Sequence, residues 1–90
     1  MAWIGDAVLA LWAREKVLRE RGELVTEMFL QLTGNAFLQT IARPTQVEAE
    51  IGAVYQRSGL ATAFAYIEAR ILPVYESQAA SRRRKAQKRR

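Results

Sequence analysis

Two carboxylates stand out as groups that could do chemistry. Asp6 is the only charged residue in Ala2-Trp3-Ile4-Gly5-Asp6-Ala7-Val8-Leu9-Ala10-Leu11-Trp12, an otherwise uncharged and mostly apolar run. An ionised group among Trp3, Ile4, Val8 and Leu11 is costly to bury without a counter-charge or hydrogen bonds. A metal ion is one partner it could have. A place in the first turns of a helix, facing water near the positive end of the dipole, is the other reading, and residue types alone favour it. Glu48 follows Thr45 by three residues, the capping-box spacing, so it has a purely structural role open to it. It also lies along the apolar side of its segment, one turn from Ile51 and Gly52.

Composition narrows the chemistry further. The chain has no cysteine and no histidine, which removes disulfides, thiolate zinc sites and the Ser-His-Asp and Cys-His nucleophile systems. Any metal must be held by oxygen, and oxygen ligands favour Mg²⁺ or Mn²⁺. Ninety residues, half of them hydrophobic, make one small domain with a modest core, and chains of this size often gain stability from a second subunit. No apolar run is long enough to span a bilayer. The apolar start has no positive n-region and carries Asp6 in its middle, so it does not read as a secretory signal, and an intracellular protein is expected. The cytoplasm is the first expectation, with nucleus and mitochondrion left open.

The net charge of +5 is unevenly placed. Residues 82–90 hold seven of the fourteen basic residues and no acidic one, leaving seven basic against nine acidic residues in the body. By composition this terminus is a disordered tail that attracts polyanions through counterion release. The candidate RNA contacts are Arg82, Arg83, Arg84, Lys85, Lys88, Arg89 and Arg90. A localisation-like or solubilising terminus is the alternative.

The elements that must position these groups are helical throughout. Residues 2–20 predict a helix apolar around most of its circumference and stopped by Gly22, a helix that belongs at the centre of a domain or at a subunit interface. Residues 23–33 place Leu24, Val25, Met28, Phe29 and Leu32 on one stripe. After Gly34, Asn35 can cap a short helix through Ala42. Thr45-x-x-Glu48 opens a helix to about Arg57, in which Gly52 permits close approach of a neighbouring backbone. After Ser58-Gly59, a last stripe runs from Leu60 to Val74, with Pro73 ending or kinking it. The expected fold is all-α, a compact bundle of about five helices over residues 1–76 with a disordered basic tail at 77–90.

Four ordered stretches resemble the ribonuclease III domain family. Ile4-Gly5-Asp6-Ala7-Val8-Leu9 looks like its signature helix. Gly22-Glu23-Leu24-Val25-Thr26-Glu27 and then Gly34-Asn35-Ala36-Phe37-Leu38 are similar to its Gly-Glu-Leu-Thr and Asn-x-x-Leu segments. Glu48-Ala49-Glu50-Ile51-Gly52-Ala53-Val54-Tyr55, with Ser58-Gly59-Leu60, resembles its Glu-Ala-Leu-Ile-Gly-Ala-Ile-Tyr helix and Gly-Leu turn. The resemblance covers roughly residues 2–75 and starts at the signature helix, which implies a minimal form without the helices that usually come before it.

What the resemblance implies is a homodimeric endoribonuclease that hydrolyses double-stranded RNA in RNA processing, using Mg²⁺, with Mn²⁺ as an alternative. Asp6 and Glu48 match the family's metal-binding carboxylates and become the expected catalytic and metal residues, while Trp3, Ile4 and Val8 become expected dimer-interface residues. Ala2 and Thr45 stand where larger members carry two further carboxylates; the Mini-III branch shows the same Ala and Thr. Arg43-Pro44 replaces the longer family connection before the second motif, and Glu50, where the family is apolar, is expected to face solvent or repack the interface. The alternative is a non-catalytic ribonuclease III-fold RNA-binding component of a ribosome or other ribonucleoprotein; a fold used only for protein association is a third.

Overall fold

The apolar run that holds Asp6 forms the central helix. In a computed structural model that describes residues 1–88, α1 spans Ala2–Arg21 and buries Gly5, Val8, Leu9, Trp12, Ala13, Lys16 and Val17 along one stripe. It ends as expected at Gly22, whose φ of 70° puts it in the left-handed region, its N–H donating to the Leu18 carbonyl at 2.9 Å. Lys16 is the one buried charged residue among those described, and its ammonium pairs with Glu20 one turn on.

α2 spans Thr26–Thr33, three residues later than the expected start. The left-handed Gly22 and the extended Val25 hold the chain out of helix between α1 and α2. Leu24 therefore leaves the predicted stripe and is 76% exposed, while Met28 and Leu32 are buried. α3 is a single turn, Asn35–Leu38, continued by turns; Gly34 rather than Asn35 is the residue before it, and no side chain caps it. α4 spans Pro44–Ser58.

The expected capping box on α4 is not formed. Arg43 takes the N-cap position without a side-chain bond, and Thr45 lies inside the first turn. The reason is Pro44: its fixed φ and missing N–H suit the first helical position, which starts the helix ahead of Thr45. Glu48 is thereby released from capping.

α5 spans Leu60–Arg70, and Gly59, at φ 88°, makes the turn before it. α6 spans Leu72–Lys88, with Pro73 in its opening turn, so this proline starts a new helix after a break at Ile71. The expectation of a disordered tail is corrected here: α6 runs without interruption through residues 76–77 and carries the basic cluster as helix. Alanine, glutamine, lysine and arginine are all strong helix formers, and the preceding turns are anchored. Tyr75 packs edge-on to Phe37, ring centroids 6.0 Å apart, and the Gln78 amide donates to Thr40 Oγ1 at 3.0 Å. Arg89 and Arg90 lie outside the described residues. The protein is thus all-helical, in six segments, with no strand among the described residues, and none of their helices is long and apolar enough to cross a membrane.

The core is built on α1, which packs against α2, α4 and α5. Leu9, Val17, Leu32, Leu38, Val47, Ile51, Ile67 and Ile71 are its largest fully buried side chains. The α1–α4 contact is the most extensive, and two glycines permit it: a Cβ on Gly5 would overlap the backbone carbonyl of Glu48, and one on Gly52 would overlap that of Met1. The close approach anticipated at Gly52 is therefore to the first turn of α1. Because backbone atoms bound both sites, no side-chain rotation can make room. Gly5→Ala should lower unfolding stability by about 3 kcal/mol or more, read from urea denaturation. Gly22→Ala, strained at its φ but open to solvent, should cost only about 1 kcal/mol.

Candidate functional site

The glycine crossing decides where the two carboxylates go. Gly5 lies directly on the Glu48 backbone, so the next residue of α1, Asp6, is delivered to the first turns of α4. Asp6 and Glu48, 42 positions apart in the sequence, come close enough for the charge and hydrogen-bonding capacity of Asp6 to act on the Glu48 carboxyl. Asp6 is exposed and Glu48 half-buried. The solvent-facing reading of Asp6 is therefore right about exposure, yet the residue is paired rather than free.

Two carboxylates in contact cannot both ionise cheaply. Burial first, then the hydrogen bond to Asp6 and its negative charge, push the Glu48 carboxyl up from 4.5 to about 7. In its acid form Glu48 has an O–H that can donate a hydrogen bond to the Asp6 carboxylate. A cation shared by the two carboxylates would relieve the same repulsion. The donor set, two carboxylates open to water, fits a hard divalent ion such as Mg²⁺, which is commonly held by one or two carboxylates and keeps several waters.

The site has only these two acidic groups. Ala2 and Thr45, one turn before Asp6 and Glu48 on their helices, bring no carboxylate, and among the described residues no three Asp, Glu, His or Cys side chains gather into a metal-binding group. Glu50 does not simply face solvent. It accepts a hydrogen bond from Tyr66 Oη at 2.7 Å and pairs with Arg70 Nε at 3.5 Å, tying α4 to α5. Burial and the Glu50 carboxylate raise the Tyr66 phenol above its ordinary value. Tyr66 and Arg70 were not singled out in the sequence; their i, i+4 spacing was the available signal.

The expected interface residues separate on the structure. Trp3 is 87% exposed, Ile4 is half-buried and Val8 belongs to the core. Ile4 and Val8 do share an open apolar groove of about 310 Å³ with Ala7, Leu11, Tyr55 and Leu60. Leu11 was missed as a surface residue, although it lies seven positions after Ile4 on the same face. Tyr55 and Leu60 come from the far end of α4 and the start of α5.

Arg82, Arg83, Arg84 and Lys85 are exposed on α6; Lys88 is its last residue. They are not brought to the carboxylate pair. Arg83 shares a cleft with Lys16 and Arg21 at the C-terminal end of α1, ten to fifteen residues along that helix from Asp6. At the helical rise this is roughly 15–22 Å. Compared with known proteins, the chain matches no family model, no curated protein and no solved structure.

The raised Glu48 acid gives a signed pH dependence. A carboxyl held above its unfolded value contributes stability that is present below about 4.5 and lost as pH rises through about 7. In EDTA, the thermal midpoint of the wild type should fall over that interval more than that of Glu48→Gln, in which the amide cannot ionise. At pH 7.5, added Mg²⁺ should raise the wild-type midpoint and leave Glu48→Gln unmoved. Thermal scans from pH 4 to 8, with and without Mg²⁺, check both.

Proposed function

We propose that this protein is a minimal, dimeric, Mg²⁺-dependent endoribonuclease that hydrolyses double-stranded RNA. The observation that supports this most is the contact of Asp6 with Glu48 across the Gly5–Gly52 crossing, since a chain without histidine or cysteine has carboxylates as its means of holding a catalytic metal. The resemblance of four ordered stretches to ribonuclease III domains supplies the substrate class.

In this reading Asp6 and Glu48, both ionised, would hold the ion, and the exposure of Asp6 leaves the pair open to a phosphodiester of a duplex. The chemistry that a bound Mg²⁺ supplies is a nucleophilic water at neutral pH and stabilisation of the charge that builds as the bond to the 3′ oxygen breaks. The exposed arginines and lysine of α6 hold phosphates away from the reacting one and set the duplex in register. The apolar groove that begins at Ile4, two residues from Asp6, receives a second copy of the chain, with Trp3 contributing exposed apolar area. Two carboxylate pairs then face the two strands of one duplex.

A second reading, a non-catalytic RNA-binding protein of a ribosome or other ribonucleoprotein, is favoured by one observation: Ala2 and Thr45 leave the carboxylate set at two. Cleavage separates the readings. Incubated with long double-stranded RNA and Mg²⁺, the wild type should shorten it, whereas Asp6→Asn and Glu48→Gln should each lose at least about 100-fold in rate while still binding. Binding without any cutting by the wild type selects the second reading. Cutting by both variants at wild-type rate removes Asp6 and Glu48 from the mechanism.

The dimer has its own test. In sedimentation equilibrium the wild type should fit a dimer, and Leu11→Asp, a charge placed in the groove, should shift the population to monomer.

A further inference from the structure

A second groove, lined by none of the residues of the α1–α4 crossing, matches a different ligand. It has a volume of about 660 Å³ and lies between α2 and α3 on one side and α6 on the other. Tyr75, Gln78 and Arg82, at i, i+3 and i+7, place an aromatic ring, an amide and a guanidinium along one face of α6. Leu30, 57% exposed, and Phe37 supply the apolar wall opposite. Tyr75 and Phe37 meet at 90°, an edge-to-face contact, with Tyr75 the more exposed of the two rings.

We propose that this groove binds single-stranded RNA, with an unpaired base lying against the Tyr75–Leu30–Phe37 surface and its flanking phosphates on Arg82 and the basic turn that follows. Three features of the groove carry this. Its size and apolar lining suit a planar heterocycle better than a hydrated ion. The Arg82 guanidinium lines the groove beside the rings, and Lys85 follows it one turn on along α6, so a stacking surface lies next to cationic groups, the combination by which single strands are held without sequence preference. Glu27 is the only carboxylate of the lining, and it disfavours a bare phosphate inside the groove, leaving the base as the part that enters. The Gln78 amide donates to Thr40 Oγ1, a link between α6 and the turn after α3 at the edge of the groove.

The inference rests on the RNA-binding half of the proposed function and not on cleavage, because it involves neither Asp6 nor Glu48. Its role would be to hold an overhang, loop or bulge next to a duplex. The test uses fluorescein-labelled hexaadenylate and an abasic ribose-phosphate strand of the same length, measured by anisotropy with the full chain in EDTA. Hexaadenylate should bind about tenfold more tightly than the abasic strand, the difference that stacking of one base supplies. Leu30→Glu, at an exposed position, should remove that tenfold while leaving the thermal midpoint and the affinity for a blunt duplex unchanged. Glu27→Gln should strengthen hexaadenylate binding about twofold to threefold. Equal affinity for the two strands overturns the proposal, as does a Leu30→Glu variant that binds hexaadenylate like the wild type or loses duplex binding to the same degree. A protein that binds hexaadenylate as expected but never cuts duplex RNA keeps this site and loses the nuclease reading.

Discussion

The contact on which the rest of the structure depends is the crossing of α1 and α4 at Gly5 and Gly52. Each glycine faces backbone of the other helix, with Gly5 against the Glu48 carbonyl and Gly52 against the Met1 carbonyl. Helices brought this near are fixed in register, because any slide moves a Cβ or a carbonyl into the gap. The crossing anchors the core, since Leu9, Val47 and Ile51 are buried on its two sides. It also fixes the chemistry: the side chains that follow Gly5 and precede Gly52 are Asp6 and Glu48. A carboxylate pair that is to bind a cation needs its backbone positions held, and the crossing holds those of Asp6 and Glu48.

The distribution of charge follows from the same arrangement. The carboxylate pair lies near the start of α1, and the basic turns of α6 lie by its end, roughly a dozen residues away along the helix. The pair and the basic turns are therefore electrostatically separate features of the surface. Were the arginines beside the pair, they would hold both carboxylates ionised. The Glu50–Tyr66–Arg70 cluster keeps one further carboxylate and arginine occupied with each other on α4 and α5.

How far this was legible in the sequence depended on the range of the interaction concerned. Breaks set by a single residue's backbone were readable: Gly22 ends α1 and Gly59 separates α4 from α5, both at positive φ. The all-helical class followed from periodicity in the same way. Leu24 was misplaced because its apolar side chain fitted a stripe, while the extended Val25 kept that residue out of the helix. The Thr45-x-x-Glu48 box was outcompeted by Pro44, a stronger start signal that moves the N-cap to Arg43, two positions before the expected Thr45. The meeting of Asp6 with Glu48 was out of reach of local patterns altogether. It depends on how two helices cross, and Gly52 announced a close approach without naming its partner.

The basic segment is the case in which composition misled, and the physical reason bears on function. Runs of like charge predict disorder when nothing anchors them, because repulsion and chain entropy act together. Here the segment continues a helix already held by Tyr75 against Phe37 and by Gln78 against Thr40, so its nucleation cost is met upstream. What remains is propagation through alanine, arginine and lysine, which favour helix. A disordered cationic tail loses conformational entropy when it settles on RNA, whereas a helix that is already formed loses little. It also presents its charges at fixed spacing and in a fixed relation to the rest of the fold. A disordered tail would have no set relation to Asp6 and Glu48; a helix joined to α5 and held against α3 through Tyr75 does.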